Sequence, residues 1–142
     1  MKRHPQHDAP EWIGPDADYF ITVCASPKRE NHFCRVAIGP AILESIQHRH
    51  QAGFWFCDLA LLMPDHIHLI VSFPDQPSFS RTIGEWKRWL ARAHGISWHP
   101  NFFDHRLRSE TDQNKADYIL QNPVRAGLVA KAGDWPWVWM PR

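Results

Sequence analysis

No run in this chain approaches the roughly eighteen consecutive apolar residues that span a bilayer. Residues 1–18 hold no apolar signal-peptide core either. Both absences point to a cytoplasmic protein with no membrane partner. Cysteine is scarce: Cys24, Cys34 and Cys57 are odd in number and lack CxxC spacing. That excludes a thiol redox motif and a disulfide framework, and leaves three small core residues of a reduced protein. Four ligands with zinc-finger spacing are missing too. There are no internal repeats or low-complexity tracts. Tyrosine occurs only twice, as Tyr19 and Tyr118. The net charge is +1, which excludes a general polycation binder.

What is present suits one α+β domain. The chain has 142 residues, 44% of them hydrophobic and eight of them tryptophan, enough for a core without staples. Residues 1–18 are proline-rich and aperiodic, a flexible N-terminal arm before a single domain at 19–142. Charge is unevenly placed. Residues 1–80 carry six Lys/Arg against nine Asp/Glu, whereas residues 81–131 carry nine against five. A basic second half in a nearly neutral chain suggests a local anionic partner.

The aromatic and β-branched run from Tyr19 to Ala25 reads as a first strand. Ile42, Leu43 and Ile46 recur at helical spacing over Pro40 to Gln51, with Gly53 as a stop signal. Phe54 to Leu62 and His66 to Phe73 are apolar strands joined by the turn Met63-Pro64-Asp65, where proline and aspartate favour reversal. Ile83, Trp86, Leu90 and Ala93 mark a second helix over Ser80 to His94, closed by Gly95. Trp98 to Arg108 contains a fourth strand. Thr111 to Gln121 is a third helix, with Thr111 as N-cap and Pro123 ending it. The first six elements follow a βαββαβ order, the ferredoxin-like arrangement of an antiparallel sheet with both helices on one face. Leu128 to Trp139 is a Trp-rich tail whose Trp135, Trp137 and Trp139 either stack bases or, more in keeping with their apolar bulk, pack on the body.

His66 and His68 flank Ile67 within the third strand. Residues i and i+2 project to the same side, roughly 7 Å apart, so the two imidazoles share a face. They can share a metal ion or simply line the wet side of a half-buried sheet, and the spacing alone leaves both open. Tyr118 and Asn122 stand four apart on the third helix and share a helix face.

Two stretches carry a family resemblance. Met63-Pro64-Asp65-His66-Ile67-His68-Leu69 is similar to the His-hydrophobic-His motif of HUH single-strand endonucleases. Tyr118-Ile-Leu-Gln-Asn122-Pro123-Val-Arg125-Ala-Gly127-Leu-Val129 resembles the catalytic-tyrosine helix of single-tyrosine transposases, in the REP-associated tyrosine transposase branch. The likeness runs from about Tyr19 to Trp137. Many relatives carry Asn where Asp65 stands; strand alternation points Asp65 away from the histidines, although its place in a turn leaves it free to add a carboxylate near the metal.

The resemblance implies a third, catalytic helix added to the ferredoxin-like sheet. It implies a divalent ion, Mg²⁺ or Mn²⁺, held by His66 and His68 with Asn122 as third ligand. It also implies Tyr118 as the nucleophile on a phosphate of single-stranded or hairpin DNA, leaving a 5′-phosphotyrosyl intermediate and a free 3′-hydroxyl. Lys87, Arg88, Arg92, Arg106, Arg108, Lys115 and Arg125 become candidate phosphate contacts. The resemblance leaves monomer and homodimer both open. Two alternatives stand beside this reading: a non-cleaving hairpin-binding protein of the same fold, and a metal-dependent phosphoesterase for small substrates.

Overall fold

A computed structural model describes residues 18–73, 79–106 and 109–141. The N-terminal arm, apart from Asp18, therefore lies outside the described residues. β1 (Asp18–Ala25) pairs antiparallel with β3 (His66–Ser72) on one side and β4 (Trp98–Arg106) on the other. β2 (Phe56–Leu62) joins β3 across the Met63-Pro64-Asp65 turn, closed by the Met63 N–H on the His66 carbonyl at 2.8 Å. The βαββαβ order expected from the sequence is thus present, with the sheet order β4-β1-β3-β2.

A fifth strand was not expected. β5 (Val138–Trp139), inside the Trp-rich tail, pairs antiparallel with β2 and extends the sheet. Two residues carry too little periodic pattern to be read as a strand. β2 itself starts at Phe56, two residues later than the apolar run suggests. Its Trp55 is instead a buried core side chain, donating through Nε1 to the Ile46 carbonyl at 3.2 Å.

α1 (Gly39–Ala52) and α2 (Phe79–His94) cover one face of the sheet. Ile42 and Ile46 from α1 and Ile83, Trp86 and Leu90 from α2 are fully buried there, against Ile21, Val23, Ala60, Leu62, Ile67, Leu69 and Val71. Alternation fixes the complementary set: Phe20, Leu59, Leu61, His66, His68 and Ile70 belong to the opposite face. α1 ends on Gly53, whose φ of +87° suits a residue without Cβ and whose N–H closes on the Arg49 and His50 carbonyls.

The opposite face is not open. α3 (Ser109–Leu120) crosses it, and Ile119 is fully buried among Leu59, Leu61, Met63 and Ile70. The helix begins two residues before the expected Thr111 cap. Pro123 does not end the helical course; it divides it. α4 (Asn122–Arg125) follows at once, with Pro123 in its first turn, where a missing N–H leaves no bond unmade. Gly127 then turns the chain at φ +76°.

The tail is tied back by its tryptophans. Trp135 Nε1 donates to the Leu62 carbonyl at 2.9 Å, and the Trp137 carbonyl accepts from the Leu62 N–H at 2.8 Å. The Trp137 ring lies so close to Gly39 that any Cβ there would collide with it. Trp139 meets His50 edge-on, with centroids 5.2 Å apart. All three rings are engaged in holding the tail to the body.

Candidate functional site

Cross-strand register places His68 directly opposite Thr22 and His66 opposite Cys24. The two imidazole centroids are 4.7 Å apart and inclined at 76°. Each ring has one nitrogen already engaged. His66 Nδ1 lies 2.8 Å from Asp65 Oδ1, and His68 Nδ1 lies 3.0 Å from Thr22 Oγ1.

Asp65 is thereby brought to the histidines, contrary to simple alternation, because the turn residue is not yet in strand geometry. The loop after β1 braces it. Arg29, at φ +67°, presents its N–H to Asp65 Oδ2 at 2.8 Å, and the Pro64 carbonyl accepts from the His32 and Phe33 N–H groups. Burial alone would raise the Asp65 pKa; the Arg29 N–H and the His66 ring outweigh it and hold the carboxyl below its usual range. An ionised carboxylate only accepts, so His66 donates through Nδ1 and a neutral ring keeps its Nε2 lone pair for another partner. Carboxylate-oriented imidazoles of this kind are the usual support of metal-binding histidines.

His68 is 9% exposed. Burial, and then the charges of His66, Arg125 and Lys115, push its pKa down from 6.5 to about 3. It is therefore a neutral ring with a lone pair. Lys115 and Arg125, which flank Tyr118 in sequence, thus act on this histidine by charge.

The contacts connect the two motifs. The Phe20 ring lies 5.3 Å from that of His68, and Lys115 Nζ sits 4.9 Å from the Phe20 centroid and 5.2 Å from that of Tyr118. Arg125 covers the same tyrosine ring at 3.9 Å. Its Nη2 donates to the Tyr118 carbonyl at 2.7 Å and to Asn122 Oδ1 at 2.8 Å. Tyr118 is 54% exposed, its ring bracketed by two cations. Asn122 and Tyr118 sit on successive helices, α4 and α3, and Arg125 bridges them.

A divalent ion can be held here only with outside help. The two imidazoles are the donors that share this face, and an ion on them would need phosphate and water oxygens to complete its shell; Asn122 Oδ1 is bonded to Arg125. Among the described residues no cluster of three His, Cys, Asp or Glu side chains could hold a metal ion. Two imidazoles fall short of the four ligands of a closed structural site.

The remaining expected cations are dispersed. Lys87 is buried, with Nζ 3.3 Å from the His99 carbonyl and 5.4 Å from the Trp98 ring centroid, so it is no surface phosphate contact. Arg88 and Arg92 are exposed on α2, across the sheet from the histidines. Arg106 ends β4, opposite Tyr19 in register, and Arg108 lies outside the described residues. Thr22 and Phe20 were missed from sequence, because their link to His68 is a strand-pairing register with no local signal.

These two joined motifs meet matching relatives. No protein-family profile matches the chain. A REP-associated tyrosine transposase of Escherichia coli K12 is 35% identical over 80 residues, covering 54% of this chain and 48% of that protein. A candidate REP-associated tyrosine transposase of Haemophilus influenzae Rd is 32% identical over 95 residues, covering 54% and 53%. A solved REP-associated tyrosine transposase bound to a REP hairpin superposes with a TM-score of 0.75 at 25% identity, covering 97% of this chain and 82% of that one. Its relatives are REP-associated tyrosine transposases. The chain spans about half the length of the curated relatives it matches. A candidate transposase from Deinococcus radiodurans R1, 13% identical with a TM-score of 0.53 over 80% of this chain and 95% of that one, shares the fold. No described helix is long and apolar enough to cross a membrane.

Proposed function

We propose that this chain is a metal-dependent single-tyrosine DNA nickase and strand transferase acting on single-stranded or hairpin DNA. One observation carries the reading: α3 crosses the sheet face that bears His66 and His68, and its Lys115 links the Tyr118 ring to the Phe20 ring stacked near His68. The likeness to a transposase bound to a REP hairpin supports hairpin DNA as partner.

In this reading the Tyr118 hydroxyl oxygen attacks the scissile phosphorus, the bond from phosphorus to the 3′ oxygen breaks, and a free 3′-hydroxyl leaves. The product is a 5′-phosphotyrosyl linkage, which keeps a phosphodiester's energy for later rejoining. Lys115 and Arg125, both on the tyrosine ring, hold the incoming phosphate by charge. Asp65 fixes the His66 ring so that its Nε2 presents a lone pair, and Thr22, accepting from the His68 Nδ1–H in the metal-binding tautomer, would leave His68 Nε2 free in the same way. His66, His68 and Asn122 would hold Mg²⁺ or Mn²⁺, which would offset charge on the phosphate oxygens.

The test is a denaturing gel of protein incubated with a labelled hairpin oligonucleotide and Mn²⁺. Wild type should give a covalent adduct; Tyr118→Phe and His66→Ala should give none. An adduct with Tyr118→Phe would remove Tyr118 as nucleophile. A second reading has its own support, because Asn122 Oδ1 is engaged by Arg125 at 2.8 Å. The same surface would then bind hairpins without cutting. Hairpin binding indifferent to EDTA, with no adduct under either metal, would favour it.

A further inference from the structure

The helical side of the molecule, across the sheet from Tyr118, carries an unspent cation. Arg49, near the end of α1, holds its guanidinium between two aromatic rings, 5.9 Å from the Phe54 centroid and 6.0 Å from that of Trp89. Its Nε is buried and meets no hydrogen-bond partner among the described residues. Buried donors are seldom left unmade, and a guanidinium has five of them in a planar fork suited to phosphate. Glu85 is the acid that acts on Arg49, but its carboxylate is bonded to Arg81 Nε at 3.2 Å.

Arg49 borders a groove of about 480 Å³ between α1 and α2. Ala41 and Ser45 line it together with His48, Trp89 and His94. Trp89 is 37% exposed, a large ring left open to solvent, with its neighbour His94 edge-on at 5.6 Å. Among the described residues Glu44 is the only acid on the lining. It disfavours a bare anion and suits a ligand that also offers N–H donors, as nucleobases do. Arg92, three residues on from Trp89 along α2, is exposed, whereas Arg88 lines a separate pocket with Lys87 and Trp98.

We propose that this groove is a subsite for one nucleotide of single-stranded DNA, its phosphate on Arg49 and its base against Trp89. The proposal rests on DNA being the partner. It adds a second contact region on the helical face, for a strand that flanks the hairpin and not for the cleaved phosphate. A flat aromatic beside a cation is a usual platform for unpaired bases.

Fluorescence anisotropy tests it with a labelled hairpin oligonucleotide, with and without a single-stranded flank, using wild type, Arg49→Gln and Trp89→Leu. Base stacking on an aromatic ring is worth about 1–3 kcal/mol, so affinity for the flanked hairpin should fall roughly 5- to 150-fold in Trp89→Leu. Arg49→Gln should fall in the same direction. Affinity for the bare hairpin and adduct formation through Tyr118 should not change in either variant, which also certifies their folding. A flank carrying 5-bromodeoxyuridine should photocrosslink to the peptide containing Trp89. Unchanged flanked-hairpin affinity in both variants, or a crosslink only elsewhere, would overturn the subsite while leaving hairpin binding intact. Wild type binding neither oligonucleotide would overturn the DNA reading and the subsite together. Binding of an acidic peptide at this groove in place of the flank would overturn the subsite alone.

Discussion

Ile119 anchors the tyrosine helix, and its removal separates helix docking from folding of the sheet. Among the residues of α3 whose side chains are described it is the fully buried one, seated on Leu59, Leu61, Met63 and Ile70, with Ala116 and Leu120 only partly buried beside it. Ile119→Ala deletes three carbons, about 2.4 kcal/mol at ~0.8 kcal/mol per methylene. The residual cavity adds to this, within the ~2–5 kcal/mol spread of such core truncations. Alanine's better helix propensity returns a few tenths. The net cost is about 2–4 kcal/mol, or roughly 30- to 900-fold in the docking equilibrium. The main core lies on the other face of the sheet under α1 and α2. The loss should therefore fall on α3 before it reaches β1 and β3. Native-state hydrogen exchange reads this directly. Amides around Tyr118 to Leu120 should exchange faster by about that factor, those of β1 and β3 far less, and adduct formation should drop with them. Equal acceleration everywhere, or unchanged protection in α3, would refute the argument that this one side chain holds the helix to the sheet.

Three further outcomes follow from particular groups. His68 has a folded pKa of about 3 against 6.5. The unfolded chain therefore binds a proton that the native state refuses as pH falls from 6.5 towards 3, and stability present above 6.5 is lost across that window. The metal-free protein should lose about 2 kcal/mol between roughly pH 7.5 and pH 5 in urea titrations, and His68→Gln should flatten that slope. Asp65→Asn keeps the turn but removes the charge that orients His66 Nδ1, so Mn²⁺ affinity by calorimetric titration should weaken about 10- to 100-fold; unchanged affinity would dismiss Asp65 as the orienting group. Gly39→Ala places a methyl in the Trp137 ring, and thermal unfolding should show a loss of roughly 1–3 kcal/mol with faster exchange at β5.

Local pattern alone determined much of the architecture. The 3.6-residue recurrence of Ile83, Trp86 and Leu90, the Pro-Asp turn before His66 and the Gly53 stop all report on neighbours a few residues away. The βαββαβ order follows from them, and so does the shared face of His66 and His68, since strand alternation needs no partner. Tertiary structure decided what that face meets. Burial of Ile119 laid α3 across it, a contact some fifty residues distant in the chain that no periodicity encodes. Strand register put Thr22 on His68, and the bracing of the turn by Arg29 brought Asp65 to His66. The same packing turned Lys87 of α2 onto Trp98 and the His99 carbonyl, folded the Trp-rich tail into a fifth strand, and left the Arg49 guanidinium between two rings with a donor unspent. Helices and turns are set by adjacent residues. The company a side chain keeps is set by which distant surfaces bury one another, and here that choice assembled the site.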